Sequence, residues 1–225
     1  MKKYKAIIDD GCNPELVAGA RFDGIFEIPV IERPAHIIIP DSIVPFSERN
    51  RIRDYKAAIT FNEKDINFAV VLRNPASYIA DFSRFQALIS PDCSLYRNGP
   101  LAVQIINVYR NRAIGSYYQR KGVYVIPLIR WGKPYTYTTD VFPEKVAFLG
   151  VEKHSIVAIS PYGCIKTWED KYYFTAGLDA MLMELEPDVV LVYGAMPNSV
   201  FGNYLHVTHF VHFDDWTTLQ HGGDR

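Results

Sequence analysis

The run FQALISPDCSLYRNGPLAVQIINVYRNRAIGSYYQRKGVYVIPLIRW, residues 85–131, decides how this chain folds. An apolar piece of strand composition (85–90) leads into a polar loop that opens on Asp92. A long segment of helical period (100–120) follows, and a second apolar piece (123–129) closes the unit. Strand, loop, helix, strand is the grammar of a βαβ crossover. Pro100 suits the first helical position behind Asn98 or Gly99, and Gly122 suits the helix exit.

Outward from this unit the pattern repeats. Short apolar runs begin at residues 57, 85, 123, 155 and 188, at roughly the 30-residue spacing that a βαβ unit takes. Helices are expected over 64–72, with further turns near 77–84, and over 100–120, 141–149 and 169–185; residues 206–213 are a candidate sixth strand. The expected fold class is α/β, a mainly parallel sheet of five or six βα units. A barrel-like form, an incomplete or distorted TIM type, is favoured over an open doubly wound sheet, since the N-terminal pieces 25–30 and 36–39 would raise the strand count to seven or eight. A single domain is expected over 1–225, with an irregular N-terminal cover (1–54), a βα-repeat core (55–213) and a tail (214–225).

Composition is that of a globular protein: 225 residues, 48% hydrophobic and 22% charged. Cys12, Cys93 and Cys164 lie far apart with no CxxC pair, which suggests neither a disulfide framework nor a zinc site and fits a reducing, cytoplasmic setting. No apolar run approaches the roughly 18 residues of a membrane span. Glycine-rich dinucleotide and P-loop motifs are absent, so no cofactor is expected. The spacing of His206, His209 and His212 would suit ligands on a helix, but HVTHFVHF is strand-like and turns His209 away from the other two, so no metal is expected either.

In parallel α/β folds ligands bind beyond the carboxyl ends of the strands. Those exits carry Asn62 and Glu63, then Ser90-Pro91-Asp92, Arg130-Trp131, Ser160-Pro161-Tyr162-Gly163 and Tyr193-Gly194. Asp92 is the sharpest candidate for a general base or an anchor for hydroxyls; the plainer reading is a carboxylate that caps its own loop. Glu63 is the candidate second carboxylate. Cys93 lacks a histidine at any neighbouring exit to activate it. On the long helix, Ala102, Ile105, Ile106, Tyr109, Ala113 and Tyr117 form the face expected to pack on the sheet. Gln104, Asn107, Asn111 and Gly115 fall opposite, as a solvated face or one in contact with another segment or a partner.

The net charge of −1 hides an asymmetry. No acid occurs between Asp92 and Asp140, while Arg97, Arg110, Arg112, Arg120, Lys121, Arg130 and Lys133 do. Either these cations pair off inside the fold or they form a patch that holds an anion. Arginine forks suit phosphate, and the interleaved aromatics suit bases.

SPDCSLYRNGPLAVQIINVYRNRAIGSYYQRKGVYVIPLIRW, together with VAISPYGCIK and VVLVYG, resembles an uncharacterised bacterial and phage family known as a domain of unknown function, the one numbered 4417. The resemblance covers most of 55–194. It implies a home on phages or mobile elements, assigns no activity, and leads one to expect an aromatic where Cys93 stands.

The resulting expectation is a protein that binds, and processes if it is an enzyme, a phosphorylated, nucleotide or nucleic-acid ligand at its strand-end face. Arg97, Arg110 and Arg130 would hold phosphate, Trp131 and Tyr162 would stack, Tyr193 would line the site, and Asp92 would orient or activate a hydroxyl or water. The alternatives are a module that docks on a host or defence protein through Gln104, Asn107 and Asn111 or through the basic patch, and a TIM-like hydrolase using Asp92.

Overall fold

The computed structural model describes residues 13–222, so Cys12 and the end of the expected tail lie outside it. Two short strands, β1 (Phe22–Asp23) and β2 (Ile28–Pro29), pair antiparallel. A four-stranded parallel sheet follows, made of β3 (Ser42–Pro45), β4 (Ala57–Thr60), β5 (Ala87–Ile89) and β6 (Val125–Ile126) in chain order. A second parallel sheet orders β7 (Ile156–Ile159), β8 (Val189–Tyr193) and β9 (His209–Phe213) the same way. Helices α1 (Asp65–Arg73), α2 (Ile79–Phe82), α3 (Leu101–Arg120) and α4 (Trp168–Leu185) fill the crossovers; α5 (Asn198–Phe201) and α6 (Trp216–Gly222) complete the chain.

The two sheets are nearly one, and a proline explains the break. Leu88 N–H and Ser90 N–H donate to the carbonyls of Tyr124 and Ile126 on the β6 side. Pro127 comes next and has no N–H to continue that ladder. Beyond it the strand turns to β7: Ala158 N–H donates to Pro127 O, Ile129 N–H donates to Ala158 O, and Leu128 bridges Ala158 in parallel. Leu128 N–H itself is taken by Ser90 Oγ at 2.8 Å.

Strands in a covered parallel sheet are buried on both faces, which is why they read as unbroken apolar runs. One face of both sheets shares a single core of Ile43, Ala58, Ala87, Ile89, Ile126, Ile156, Ala158, Val189 and Leu191, with β9 adding the partly buried Val211 and Phe213. The other face of the first sheet packs against α1–α3 through an aromatic-rich cluster including Phe46, Phe61, Phe68, Phe82 and Tyr118. The second packs against α4 through Phe174, Leu178, Met181, Leu182 and Leu185.

Several expectations are corrected. No pairing joins β9 to β3 among the described residues, so a closed barrel is not formed. The N-terminal segment is not only a cover: β3 lies within it, in the short, proline-ended run SIVP that carries too little pattern to stand out. The piece 36–39 is not a strand, and 141–149 yields only a 3-10 turn at Val146–Phe148. Pro100 is the cap residue of α3 rather than its first helical one. The expected tail forms α6, whose Trp216 packs against the first-sheet cluster and donates its N–H to Tyr193 Oη at 2.9 Å.

Candidate functional site

The strand exits converge on a buried ion pair. Asp92, just past β5, accepts Arg130 Nε on Oδ1 at 2.7 Å and Arg130 Nη2 on Oδ2. Asn62, past β4, donates Nδ2 to the same Oδ2 at 2.8 Å, and its own Oδ1 accepts Thr60 Oγ1 at 2.6 Å. Arg130 Nη1 donates to Ser160 O at 3.0 Å, past β7, and lies 3.7 Å from Cys164 Sγ. Four exits therefore meet at one guanidinium–carboxylate fork, which spans the junction that Pro127 opens between the sheets. The Asp92 side chain is 7% exposed and that of Arg130 19%. Burial works against the Arg130 charge, but the Asp92 carboxylate outweighs it, and the guanidinium pKa is raised above its ordinary value.

Below the fork, α3 supplies the polar atoms that the split sheet lacks. Asn111 Nδ2 donates to Pro91 O at 2.6 Å while its Oδ1 accepts Ser90 Oγ at 3.0 Å and Arg112 Nη1. Arg112 is fully buried with no carboxylate at ion-pair distance among the described residues. It donates to Leu128 O, Ala147 O and Leu149 O at 3.0, 3.1 and 3.0 Å, and burial lowers its pKa to about 9. Gln104 Nε2 donates to Tyr96 O and Gly99 O, both at 3.0 Å, and Asn107 Nδ2 to Ser94 O at 2.7 Å. The stripe of amides points inward, with Gln104, Asn111 and Gly115 buried, and the expected packing face holds only in part: Ala113 is buried and Ile105, Tyr109 and Tyr117 are half-buried, but Ala102 and Ile106 are exposed, as is Val103. A loop that runs beneath the surface must have its carbonyls met, and amides can do this where leucines cannot. Gln104 and Asn111 thus offer no open amides to a partner, and Asn107 is half-buried and engaged.

The other expected site residues divide. Arg97 ties its loop to α4: its guanidinium lies 4.4 Å over the Tyr173 ring, with Nη1 3.3 Å from Glu169 Oε1 and Nη2 3.5 Å from Asp170 Oδ1. The Glu169 contact is an ion pair by distance but lacks hydrogen-bond geometry. Arg110 is half-buried, near enough to Cys93 to bear on its thiol, and makes no ion pair among the described residues. Trp131 is not free to stack on a ligand, since it packs on Phe174 at 5.1 Å and against Gly177 of α4. Tyr193 belongs to the inner core, and burial pushes its phenol up to about 12. Tyr162 is exposed. Glu63 accepts Ser47 N–H and Asn67 Nδ2, both at 2.9 Å, and so serves its own turn. Cys93 is buried, which raises its thiol to about 12. His209 and His212 lie on β9, and no metal-ligating cluster exists among the described residues.

Of the acid-free stretch, Arg97 and Arg130 pair with acids, Arg112 and Arg120 donate to carbonyls, and Lys121 lies over the Tyr117 ring. Most of that charge is used inside the fold. Sequence reading named Ser160 as an exit residue without a role, and missed Cys164 as a neighbour of the fork and the exposed pair Trp168–Tyr172 at the start of α4. The KTWEDKYY run carried the signal for the last two. A cavity of about 350 Å³ lies away from these exits, lined by Asp23, Glu144, Lys145, Phe148, Leu149 and Glu184.

Fold and site define an α/β protein of parallel strands with a polar fork at their carboxyl ends. The chain belongs to the family described as Domain of unknown function (DUF4417), whose model matches residues 20–214. It is similar to the Gene 1 protein of Mycobacterium phage L5, 33% identical over 150 residues that make up 65% of this chain and 62% of that relative. It is also similar to the Gene 1 protein of Mycobacterium phage D29, 30% identical over 175 residues, 76% of this chain and 61% of that one. The chain thus spans about three fifths of the length of these curated relatives, whose matched shares are 62% and 61%. No solved structure matches. Among the described residues no helix is long and apolar enough to cross a membrane.

Proposed function

We propose that the protein binds a phosphorylated ligand, a nucleotide or a stretch of nucleic acid, at the carboxyl ends of its parallel strands, with Arg130 as the anion contact. One observation carries the reading: a guanidinium fixed in plane by Asp92, on a side chain that keeps 19% exposure, sits where four strand exits meet. With Nε and Nη2 on Asp92 and Nη1 on Ser160 O and Cys164 Sγ, the held guanidinium has one Nη2 N–H left for an anion, already oriented and so offered at little cost in freedom. Both Asp92 oxygens are engaged, which favours an orienting role over that of a general base and ranks the hydrolase reading lower. The same proposal takes the seven parallel strands as an open, barrel-like wall around their shared core, acting as one domain in a cytoplasmic setting.

The test is equilibrium binding of inorganic phosphate and nucleoside monophosphates to wild type and Arg130→Lys, at rising salt. Lysine keeps the charge and loses the fork, so affinity should fall about tenfold or more, and it should weaken with salt. Affinity indifferent to both would end the proposal. A second reading, docking on a host protein, rests on exposed Trp168, Tyr172 and Tyr96, residue types that dominate interfaces. A stoichiometric complex abolished by Trp168→Ala, with no phosphate binding, would favour it.

A further inference from the structure

Four aromatic rings stand in solvent on the loops and helix start beside the strand-end face. Tyr96 is 69% exposed, Tyr162 71%, Trp168 80% and Tyr172 58%. Tyr96 belongs to the loop entering α3 and Tyr162 to the loop entering α4, while Trp168 and Tyr172 occupy the first turns of α4. The Arg97 clamp on Tyr173, Glu169 and Asp170 brings the Tyr96 loop against that same helix start. Trp168 and Tyr172 stack on each other, centroids 5.9 Å apart and planes 19° from parallel. Rings of this size are ordinarily buried, and an exposed cluster of them marks a contact surface.

Charge selects the occupant. Lys166 precedes the stacked pair and Lys171 lies between its two residues in the chain, both exposed and neither at ion-pair distance from an acid among the described residues; the nearby Asp170 and Glu169 share the one cation Arg97, so these five charges sum to +1. Cations alternating with open rings at the start of one helix fit a chain that alternates phosphates with bases whose faces are free. A duplex keeps those faces stacked inside.

We propose that single-stranded nucleic acid lies across this rim of rings, its bases stacked on Trp168 and Tyr172 and its backbone against Lys166 and Lys171. This rests on the nucleic-acid form of the strand-end reading and names its substrate class. The experiment is fluorescence anisotropy of a labelled deoxythymidine oligonucleotide of about 12 nucleotides, alongside tryptophan quenching. The expected result is salt-sensitive binding that quenches fluorescence and weakens at least about tenfold in the Trp168→Ala/Tyr172→Ala double variant. In Lys166→Gln/Lys171→Gln the slope of log affinity against log salt should shrink by roughly 1.4, two contacts at about 0.7 each. These side chains are exposed, so a thermal melt should show the variants folded. Equal binding by wild type and the ring variant, equal affinity for duplex, or capture of a protein in place of the oligonucleotide overturns the proposal. If the oligonucleotide fails while phosphate still binds and is lost in Arg130→Lys, the rim falls and the strand-end reading survives. Rim-dependent oligonucleotide binding that Arg130→Lys leaves intact would do the opposite, keeping the rim as the binding surface and removing Arg130 as the anion contact.

Discussion

The two sheets are built alike and held differently. In the first, the layer against the helices is a mesh of aromatic rings, with Phe82 in contact with Phe46, Phe61, Tyr78 and Tyr118. In the second, α4 packs mainly aliphatic side chains beside a single line of rings, Trp131–Phe174–Phe201–Phe210, and fits closely enough that Gly177 lies against the Trp131 indole. Apolar packing thus secures each half, but the junction between them is polar: the Asp92–Arg130 fork above, Asn111 and Arg112 beneath. The lesson is that where Pro127 turns the strand from β5 to β7, backbone bonds and the shared core carry one side of the junction and polar side chains fill the gap on the other, which is the candidate site.

The comparison would be broken most sharply at the fork. Asp92→Asn should cost about 3 to 5 kcal/mol, because Arg130 is left buried without its countercharge. At roughly 2 to 4 °C per kcal/mol for a chain of this size, the melting temperature should fall by about 10 °C. Arg130→Met added to Asp92→Asn should recover part of that loss, and a thermal double-mutant cycle reads the coupling. A single variant that melts like wild type would show that the junction does not depend on the pair.

Next comes Asn111→Ala, which leaves Pro91 O with the Cys93 N–H alone and removes an acceptor from Ser90 and Arg112; about 2 kcal/mol is expected in a urea melt. Its apolar counterpart is Gly177→Ala, where a methyl would collide with the Trp131 ring. Overpacking of that kind should cost about 1 to 3 kcal/mol and shift Trp131 fluorescence.

The smallest effect sharpens the first half alone. Burial, then the neighbouring tyrosines, raises the Tyr118 phenol well above its ordinary value, and its hydroxyl donates to Pro75 O at 2.9 Å. A raised folded-state pKa gives stability that is whole below the unfolded value, about pH 10, and lost as pH climbs beyond it. Tyr118→Phe should cost about 1 kcal/mol at neutral pH. It should also flatten the fall in melting temperature above about pH 10.

Much of this architecture was legible because parallel strands buried on both faces write themselves as apolar runs. The runs starting at residues 57, 85, 155 and 188 all contain strands, and 100–120 matches α3 to within one residue. β3 escaped because four residues ending in Pro45 hold no period. The face of α3 was misjudged because hydrophobicity served as a proxy for burial, whereas here the buried surface opposite the helix is loop backbone, which asks for donors. Asp92 and Arg130 were each singled out, but 38 residues of separation carry no sign that they pair. Trp168 and Tyr172 were not singled out, since composition alone does not tell an exposed indole from a buried one.

The inward amides of α3 also bear on redesign. A scheme that fills buried helix positions with aliphatic side chains would replace Gln104, Asn107 and Asn111 and score the result as a better core. It would take the side-chain donors from Ser94 O and Gly99 O, and leave Pro91 O, Tyr96 O and Leu128 O with only the donors they also have in Cys93 N–H, Gly99 N–H and Arg112. The loop bearing Asp92 would then come away from the helix, so sequence optimisation should hold these three positions fixed and spend its freedom on the exposed Val103 and Ile106 instead.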